Sequence, residues 1–253
     1  MLEAFGRTDV GRRRKLNEDS FLVAPEPNLY AVCDGMGGHN AGEVASQMAI
    51  ETLAAFIDKS HREKEITWPY GLDVNLSFDG NRLKTAIKLA NKKVFRAADN
   101  REEYTGMGTT VVAAVVSGRV MTVGSAGDSR CYFLRDGTLA QLTRDDSWVS
   151  AALGEGILNS EEVERHPLRN VITKAVGAKE SIELDVVEHR FAPGDLALLC
   201  SDGLHAMLND ADLQRVLTPL PATLEQAAGL LIDAANEAGG KDNVTVVLLR
   251  YRE

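Results

Sequence analysis

An apolar run, Leu29 to Cys33, ends on Asp34, and three of the next four residues are glycine, with Met36 among Gly35, Gly37 and Gly38. A charge at the end of a buried strand is costly unless something compensates it. A glycine-rich turn lets the backbone bend sharply and approach a ligand closely. A metal ion would supply the compensation. By itself such a stretch reads as a turn as readily as a site, but the pattern recurs. Leu196 to Cys200 is a second apolar run and leads into Ser201-Asp202-Gly203. Gly239-Gly240-Lys241-Asp242-Asn243 sets another Asp in a glycine turn ahead of the run Val244 to Arg250, and Asn17-Glu18-Asp19 precedes Phe21 to Ala24. Oxygen donors of this kind suit Mg²⁺ or Mn²⁺ rather than Zn²⁺. Each acid alone also reads as a cap or turn residue; five of them at strand ends across the chain are poorly explained that way.

The elements that must position these residues are legible in outline. Leu2 to Thr8 predicts a first strand. The following basic run, Arg12 to Lys15, reads as a solvated loop. Asn40 is placed to cap a helix to about Lys59, with Ala45, Ala49, Leu53 and Phe56 as its core stripe. Residues 60–78 break the period and read as a loop packed by its aromatics. A second helix over about 81–98 has Leu83, Ala86, Ile87, Ala90, Val94 and Ala97 on one face. The period then changes to two: 109–116, 120–124 and 130–135 predict antiparallel strands joined at Ser117-Gly118 and Asp136-Gly137. Residues 147–170 are polar and irregular. Strands over 182–190 and 196–200, a helix marked by Leu224, Ala227, Ala228, Leu231 and Ala235, and a final strand complete the chain. Strands alternating with helix pairs, without a regular βαβ rhythm, predict antiparallel sheets covered by helices, an α+β class.

Composition narrows the function. The 253 residues are 44% hydrophobic and 26% charged, as in an ordinary globular protein, with a net charge of −9 that argues against a general nucleic-acid binder. No apolar run approaches membrane-spanning length and no signal peptide is evident, so no membrane partner is expected. Cys33, Cys131 and Cys200 lie in apolar strand patterns and read as reduced core residues of a cytoplasmic protein, expected to be a monomer.

The motifs Thr8-Asp9-x-Gly11-x-x-Arg14-x-x-Asn17-Glu18-Asp19, Asp34-Gly35-Met36-Gly37-Gly38-His39, Gly127-Asp128-Ser129-Arg130, Ser201-Asp202-Gly203 and Asp242-Asn243 occur in that order. In them the chain resembles the PPM family, the type 2C metal-dependent protein serine/threonine phosphatases, in its bacterial form, from about residue 6 to the last strand. The resemblance implies one catalytic domain over 1–253: two packed antiparallel sheets with helices on both outer faces, and a small flap subdomain at about 147–170. It implies two tightly bound Mn²⁺ or Mg²⁺ ions and a weaker third. Asp34 would bridge, Asp202 and Asp242 would complete the first metal, and Glu18 and the Gly35 carbonyl would hold the second. Asp19 would orient metal-bound water, Arg14 would clamp the phosphate, and Asp128 would share the third metal with Asp202. A bridging hydroxide would attack phosphorus directly.

Two departures from the family pattern stand out. Met36 follows Asp34-Gly35 where eukaryotic members carry a histidine, as in many bacterial members, and His39 is displaced from that place. The flap opens on Asp145-Asp146-Ser147 where bacterial members often read Asp-His-Ser, although His166-Pro167-Leu168-Arg169-Asn170 closes it in the bacterial manner. The expected partners are phosphorylated proteins, including a bacterial Ser/Thr kinase whose action the enzyme opposes. The alternatives are a non-catalytic regulatory domain of the same fold, against which the complete acidic set argues, and a phosphatase dedicated to one partner protein.

Overall fold

Strand β1 (Leu2–Asp9) pairs antiparallel with the last strand, β11 (Val244–Tyr251), so the first and last strands lie side by side in one sheet. The computed structural model describes residues 1–252 apart from 39–40, 64–66, 160–161, 163–165 and 220. Beyond β11 the sheet continues through β10 (Leu196–Cys200), β7 (Arg130–Arg135) and β8 (Thr138–Gln141). The second sheet runs β2 (Asp19–Ala24), β3 (Leu29–Met36), β5 (Val111–Ser117), β6 (Val120–Ala126) and β9 (Asp185–Arg190), with the short β4 (Gly108–Thr109) against the end of β3. Every pairing is antiparallel.

Alternate residues of each central strand face different cores. Tyr30 and Val32 of β3 pack between the sheets with Val112, Cys131, Leu199 and Val247. Ala31 and Cys33 face outward, under helices α1 (Ala41–Arg62) and α2 (Phe78–Asn100). On the other outer face, Leu198, Val246 and Leu248 pack under α4 (Asp202–His205), α5 (Asp210–Leu217) and α6 (Leu224–Glu237). Burial on both faces is why these strands read as continuous apolar runs rather than alternating ones. The architecture is the expected one of two antiparallel sheets flanked by helices.

Side-chain caps set several helix starts. Ser77 accepts from the Gly80 amide at α2, Asn209 from Asp212 at α5, and Thr223 from Gln226 at α6. The Ser77 cap starts α2 three residues before the predicted start. Asn40, read as the cap of α1, lies outside the described residues, as does His39. In α1 the core position belongs to Ile57, and Phe56 is half-buried beside it. The loop before α2 is packed by Trp68, whose ring meets Phe56 and Phe78 edge-on.

Several boundaries differ from expectation. The strand expected over 109–116 is interrupted at Thr110, which turns its hydroxyl to other work. The strand expected from Ile182 begins at Asp185. Neither β8 nor the short helices α4 and α5 is visible in the periodicity, because four to eight residues give too little pattern. Most consequential, β3 does not stop at Asp34 but runs on to Met36, where Gly35 and Met36 pair with Thr109 and Gly108.

Candidate metal centre

The β2–β3 register sets Asp19 directly opposite Asp34. Acids facing each other across an antiparallel pair repel, so the strand pairing itself concentrates negative charge at this end of the sandwich. Three more carboxylates are delivered there. Asp202 follows β10 as the first residue of α4. Asp242 precedes β11, and Asp128 sits in the turn between β6 and β7. Glu18 precedes β2, and its amide donates to Asn243 Oδ1 (2.9 Å), which ties it to the Asp242 turn.

Glycines allow the close packing. A Cβ on Gly203 would lie 1.9 Å from the Asn243 carbonyl oxygen, and one on Gly35 would lie 2.1 Å from that of Gly42. Gly203→Ala is therefore expected to destabilise the fold by about 3 kcal/mol, near the upper end for overpacking, and to lower Tm by roughly 6–12 °C. Mn²⁺ affinity should fall with it, because the Asp202 and Asp242 turns are pushed apart. Calorimetry with and without Mn²⁺ reads both; a variant with wild-type Tm and affinity would refute this account of the packing.

The polar environment is incomplete without a cation. Glu18 Oε1, Asp19 Oδ1 and Asp202 Oδ1 are buried with no hydrogen-bond partner. Burial, and then repulsion from Asp19, Asp202, Asp128 and Asp242, pushes the Asp34 carboxyl well above the usual carboxylate range. Burial pushes Asp19 up to about 7 against the pull of its hydrogen bonds from Thr245 and Ser201, and burial with repulsion from Asp202 takes Asp128 to about 7. Asp202 is raised by burial and by Asp242, and Glu18 chiefly by burial. Unpartnered buried carboxylate oxygens that repel one another are the environment that a divalent cation compensates. The donor set is all oxygen, so the residues fit Mn²⁺ or Mg²⁺. Among the described residues no three His, Cys, Asp or Glu side chains are drawn in as a closed cage. One reason is visible at Asp242: its Oδ2 accepts from Arg14 Nη2 (2.7 Å) and its Oδ1 from the Asn243 amide (2.9 Å).

The structure thus brings Arg14, Glu18, Asp19, Asp34, Gly35, Asp128, Asp202 and Asp242 to one end of the sandwich. Arg14 is half-exposed at the cluster's edge, on Asp242, while Arg12 and Arg13 give their backbone amides to the Gly240 carbonyl.

Sequence reasoning missed the residues that hold the carboxylates in place. Ser201 Oγ and Thr245 Oγ1 both donate to Asp19 Oδ2 (2.8 and 2.6 Å). Thr110 Oγ1 accepts from the Asp34 amide, and Ser46 Oγ donates to the Glu18 carbonyl (2.6 Å). Asn243 Nδ2 donates to the Val10 and Leu16 carbonyls. Ser201 and Asn243 adjoin motif acids, which was a signal. Thr245, Thr110 and Ser46 gave none, since their partners lie 226, 76 and 28 residues away.

A cleft of about 1060 Å³ opens from Asp128, Asp202 and Asp242 and runs between helix α3 (Trp148–Gly154) and Met207.

Known proteins resemble this chain along nearly its whole length. A family profile described as protein phosphatase 2C matches residues 10–236. The serine/threonine phosphatase stp of Listeria innocua is 35% identical over 250 residues, covering 96% of this chain and 93% of the relative. The S. agalactiae serine/threonine phosphatase structure superposes with a TM-score of 0.88 at 33% identity, covering all of both chains. The catalytic domain of the serine/threonine protein phosphatase PstP, solved with two manganese ions, superposes with a TM-score of 0.83 at 34% identity, covering 100% of this chain and 99% of that one.

Proposed function

The chain belongs to the protein phosphatase 2C family, and on that premise we propose that the carboxylate cluster is its two-metal centre. The enzyme is a protein serine/threonine phosphatase, and its hydrolysis of phosphoserine and phosphothreonine in proteins depends on Mn²⁺ or Mg²⁺. The observation that carries the assignment of residues is the set of buried, unpartnered oxygens on Glu18, Asp19 and Asp202 around Asp34. Asp34 would be shared between two ions, Asp202 and Asp242 would complete one, and Glu18 with the Gly35 carbonyl would serve the other. Bound there, the ions supply a nucleophile from water near neutral pH and neutralise charge on the phosphoryl oxygens.

The chain's own groups orient the reaction. Asp19, held at Oδ2 by Ser201 and Thr245, keeps its Oδ1 buried and unpartnered and is suited to hold a water proton. Arg14 is suited to bind the phosphate, because its guanidinium already rests on a carboxylate at the mouth of the site. Asp128 and Asp202 line the same end of the cleft and repel each other, and to this pair we assign a third, weaker cation position. Met36 offers no proton to the leaving alkoxide, and water ordered by these acids is suited to supply it. We further propose one catalytic domain across 1–253 with a flap at about 147–170, acting as a cytoplasmic monomer that opposes a bacterial-type Ser/Thr kinase. Its three cysteines are unpaired and buried. Among the described residues no helix is long and apolar enough to cross a membrane.

Arg14→Ala tests the phosphate assignment. Loss of a charge-assisted contact worth roughly 1.5–3 kcal/mol should raise KM for a phosphothreonine peptide by about tenfold or more, with kcat within about twofold. Mn²⁺ binding should not weaken, because Arg14 competes with cations for Asp242. An unchanged KM in Arg14→Ala, with the defect in Arg12→Ala or Arg13→Ala instead, would reassign the phosphate contact within the basic run.

A further inference from the structure

Asp145 and Asp146 open the flap side by side, yet their carboxylates are used differently. Asp145 is committed to Arg130, accepting from Nε at Oδ1 (2.9 Å) and from Nη2 at Oδ2 (2.7 Å). Asp146 ties its own segment to two others. Its Oδ1 pairs with Lys174 Nζ (2.7 Å), just beyond the end of the flap. Its Oδ2 accepts from the Gly127 amide (3.2 Å), and its own amide donates to the Gly127 carbonyl (2.8 Å). Its carbonyl accepts from both the amide (2.7 Å) and the hydroxyl (2.9 Å) of Thr173. The Asp146 side chain is only 12% exposed, so its charge is less screened than in an ordinary surface pair.

The contacts continue from Gly127 toward the reacting centre. Gly127 has φ +109°, and a Cβ there would lie 2.7 Å from the Thr110 side chain. Thr110 Oγ1 lies 2.7 Å from Ser129 Oγ and accepts from the Asp34 amide (3.0 Å). Above Asp146, the flap's first residues form one wall of the cleft through Ser147, Ser150 and Leu153. The main chain closes over them where the Trp148 amide donates to the Val171 carbonyl (2.9 Å) and Trp148 stacks on His166. One side chain therefore fixes the flap's entry to its exit, and both to the turn that presents Asp128.

We propose that Asp146 and Lys174 form a clasp that sets the flap against the Gly127-Asp128 turn, and that these two positioning residues determine how well an extended protein substrate is handled relative to a small phosphate ester. The inference rests on the phosphatase reading of the cleft. The carboxylates stand at one end of the cleft and Ser147, Ser150 and Leu153 along its wall, so a small ester needs only the first while a peptide extended along the cleft would meet both. Loosening the clasp frees a small local unit while leaving the sandwich folded.

The test uses the full chain with saturating Mn²⁺, a phosphothreonine peptide and p-nitrophenyl phosphate. Lys174→Gln is expected to lower kcat/KM for the peptide by about tenfold, mostly through KM, and to leave the ester within about twofold. Lys174→Arg should restore the peptide activity. Asp146→Asn removes the charge and weakens the acceptor for Gly127, so the ester kcat should also fall a fewfold. The double variant should be no worse than Asp146→Asn alone, as for two members of one contact. Amide hydrogen exchange, measured in EDTA and so independent of turnover, should speed up by about tenfold at the described flap amides in Lys174→Gln. Equal losses on peptide and ester in Lys174→Gln, additive losses in the double variant, or unchanged flap exchange would each overturn the clasp. If the wild type itself hydrolysed neither substrate, the phosphatase reading would fall, while the exchange measurement would still decide whether the clasp holds the flap.

Discussion

Asp34→Asn is expected to lower kcat by about a thousandfold, on the order of 4 kcal/mol of transition-state stabilisation, while leaving the protein folded and, in EDTA near pH 8, more stable than the wild type. The two effects have one cause. Asp34 is the carboxylate that the others surround: Asp19 faces it across the β2–β3 pair, and Asp202, Asp128 and Asp242 all repel it. Without a cation that repulsion opposes folding, and an amide of the same size relieves it. With cations the same negative charge is what holds them, and the amide cannot share two ions. The backbone should not object, because the Asp34 amide keeps its bond to Thr110 Oγ1 and its carbonyl still accepts from the Thr110 amide (2.9 Å). Steady-state kinetics at saturating Mn²⁺, Mn²⁺ stoichiometry by calorimetry and melting in EDTA test the three parts. A variant that keeps kcat within about tenfold of wild type would remove Asp34 from the centre. A metal-free variant that melts lower than wild type would mean that Asp34 is compensated by protein groups alone.

Chelation should abolish turnover, and the stability gained on restoring Mn²⁺ should grow as pH rises from 5 to 8. Asp19 and Asp128 have folded-state pKa values of about 7 against an ordinary 3.8, and Asp34 is also raised. A group raised on folding stabilises the fold fully below its unfolded pKa and loses that contribution as pH climbs through the folded value. The metal-free protein thus loses the carboxylates' contribution between about pH 4 and 7. Cations bind the deprotonated form, so each proton lost strengthens metal binding. His205 acts in the opposite sense in the metal-free protein. Burial lowers its pKa to about 3, so its contribution is lost as pH falls below its ordinary 6.5. Comparing Mn²⁺ with EDTA at the same pH largely cancels that term. At a hundred times its Kd each site adds about 2.7 kcal/mol, or roughly 5–11 °C in Tm for a chain of this size. A Tm difference that stays flat from pH 5 to 8 would show that the carboxylates are already ionised and compensated without metal. Full activity in EDTA would exclude a metal-dependent centre.

The sequence by itself determined the chemistry on offer and much of the scaffold. Asp34 and Asp202 are marked because each adjoins glycine at the end of an apolar run, and Asp242 because it stands in a glycine turn just ahead of one, local patterns that need no knowledge of distant partners. The continuous apolar runs specified central strands buried on both faces, and the stripes of α1, α2 and α6 specified helices that cover them. The ordered motifs carried the family, with Arg14 and Asp128 identified through it. What the tertiary structure decided is which of these groups face one another. That Asp19 lies opposite Asp34 follows from strand register, and register is set by the whole sheet. That Arg14 rests on Asp242 depends on two residues 228 apart meeting beside the β1–β11 pair. Thr110, Ser46 and Thr245 carry no local mark of their role, because a buried hydroxyl acquires meaning only from the donor or acceptor that folding sets beside it. Asp146 is the sharpest case: in the sequence it is a departure from a familiar motif, and only the return of the chain at Thr173 and Lys174, with the Gly127 turn behind it, shows the two segments that this residue joins to its own.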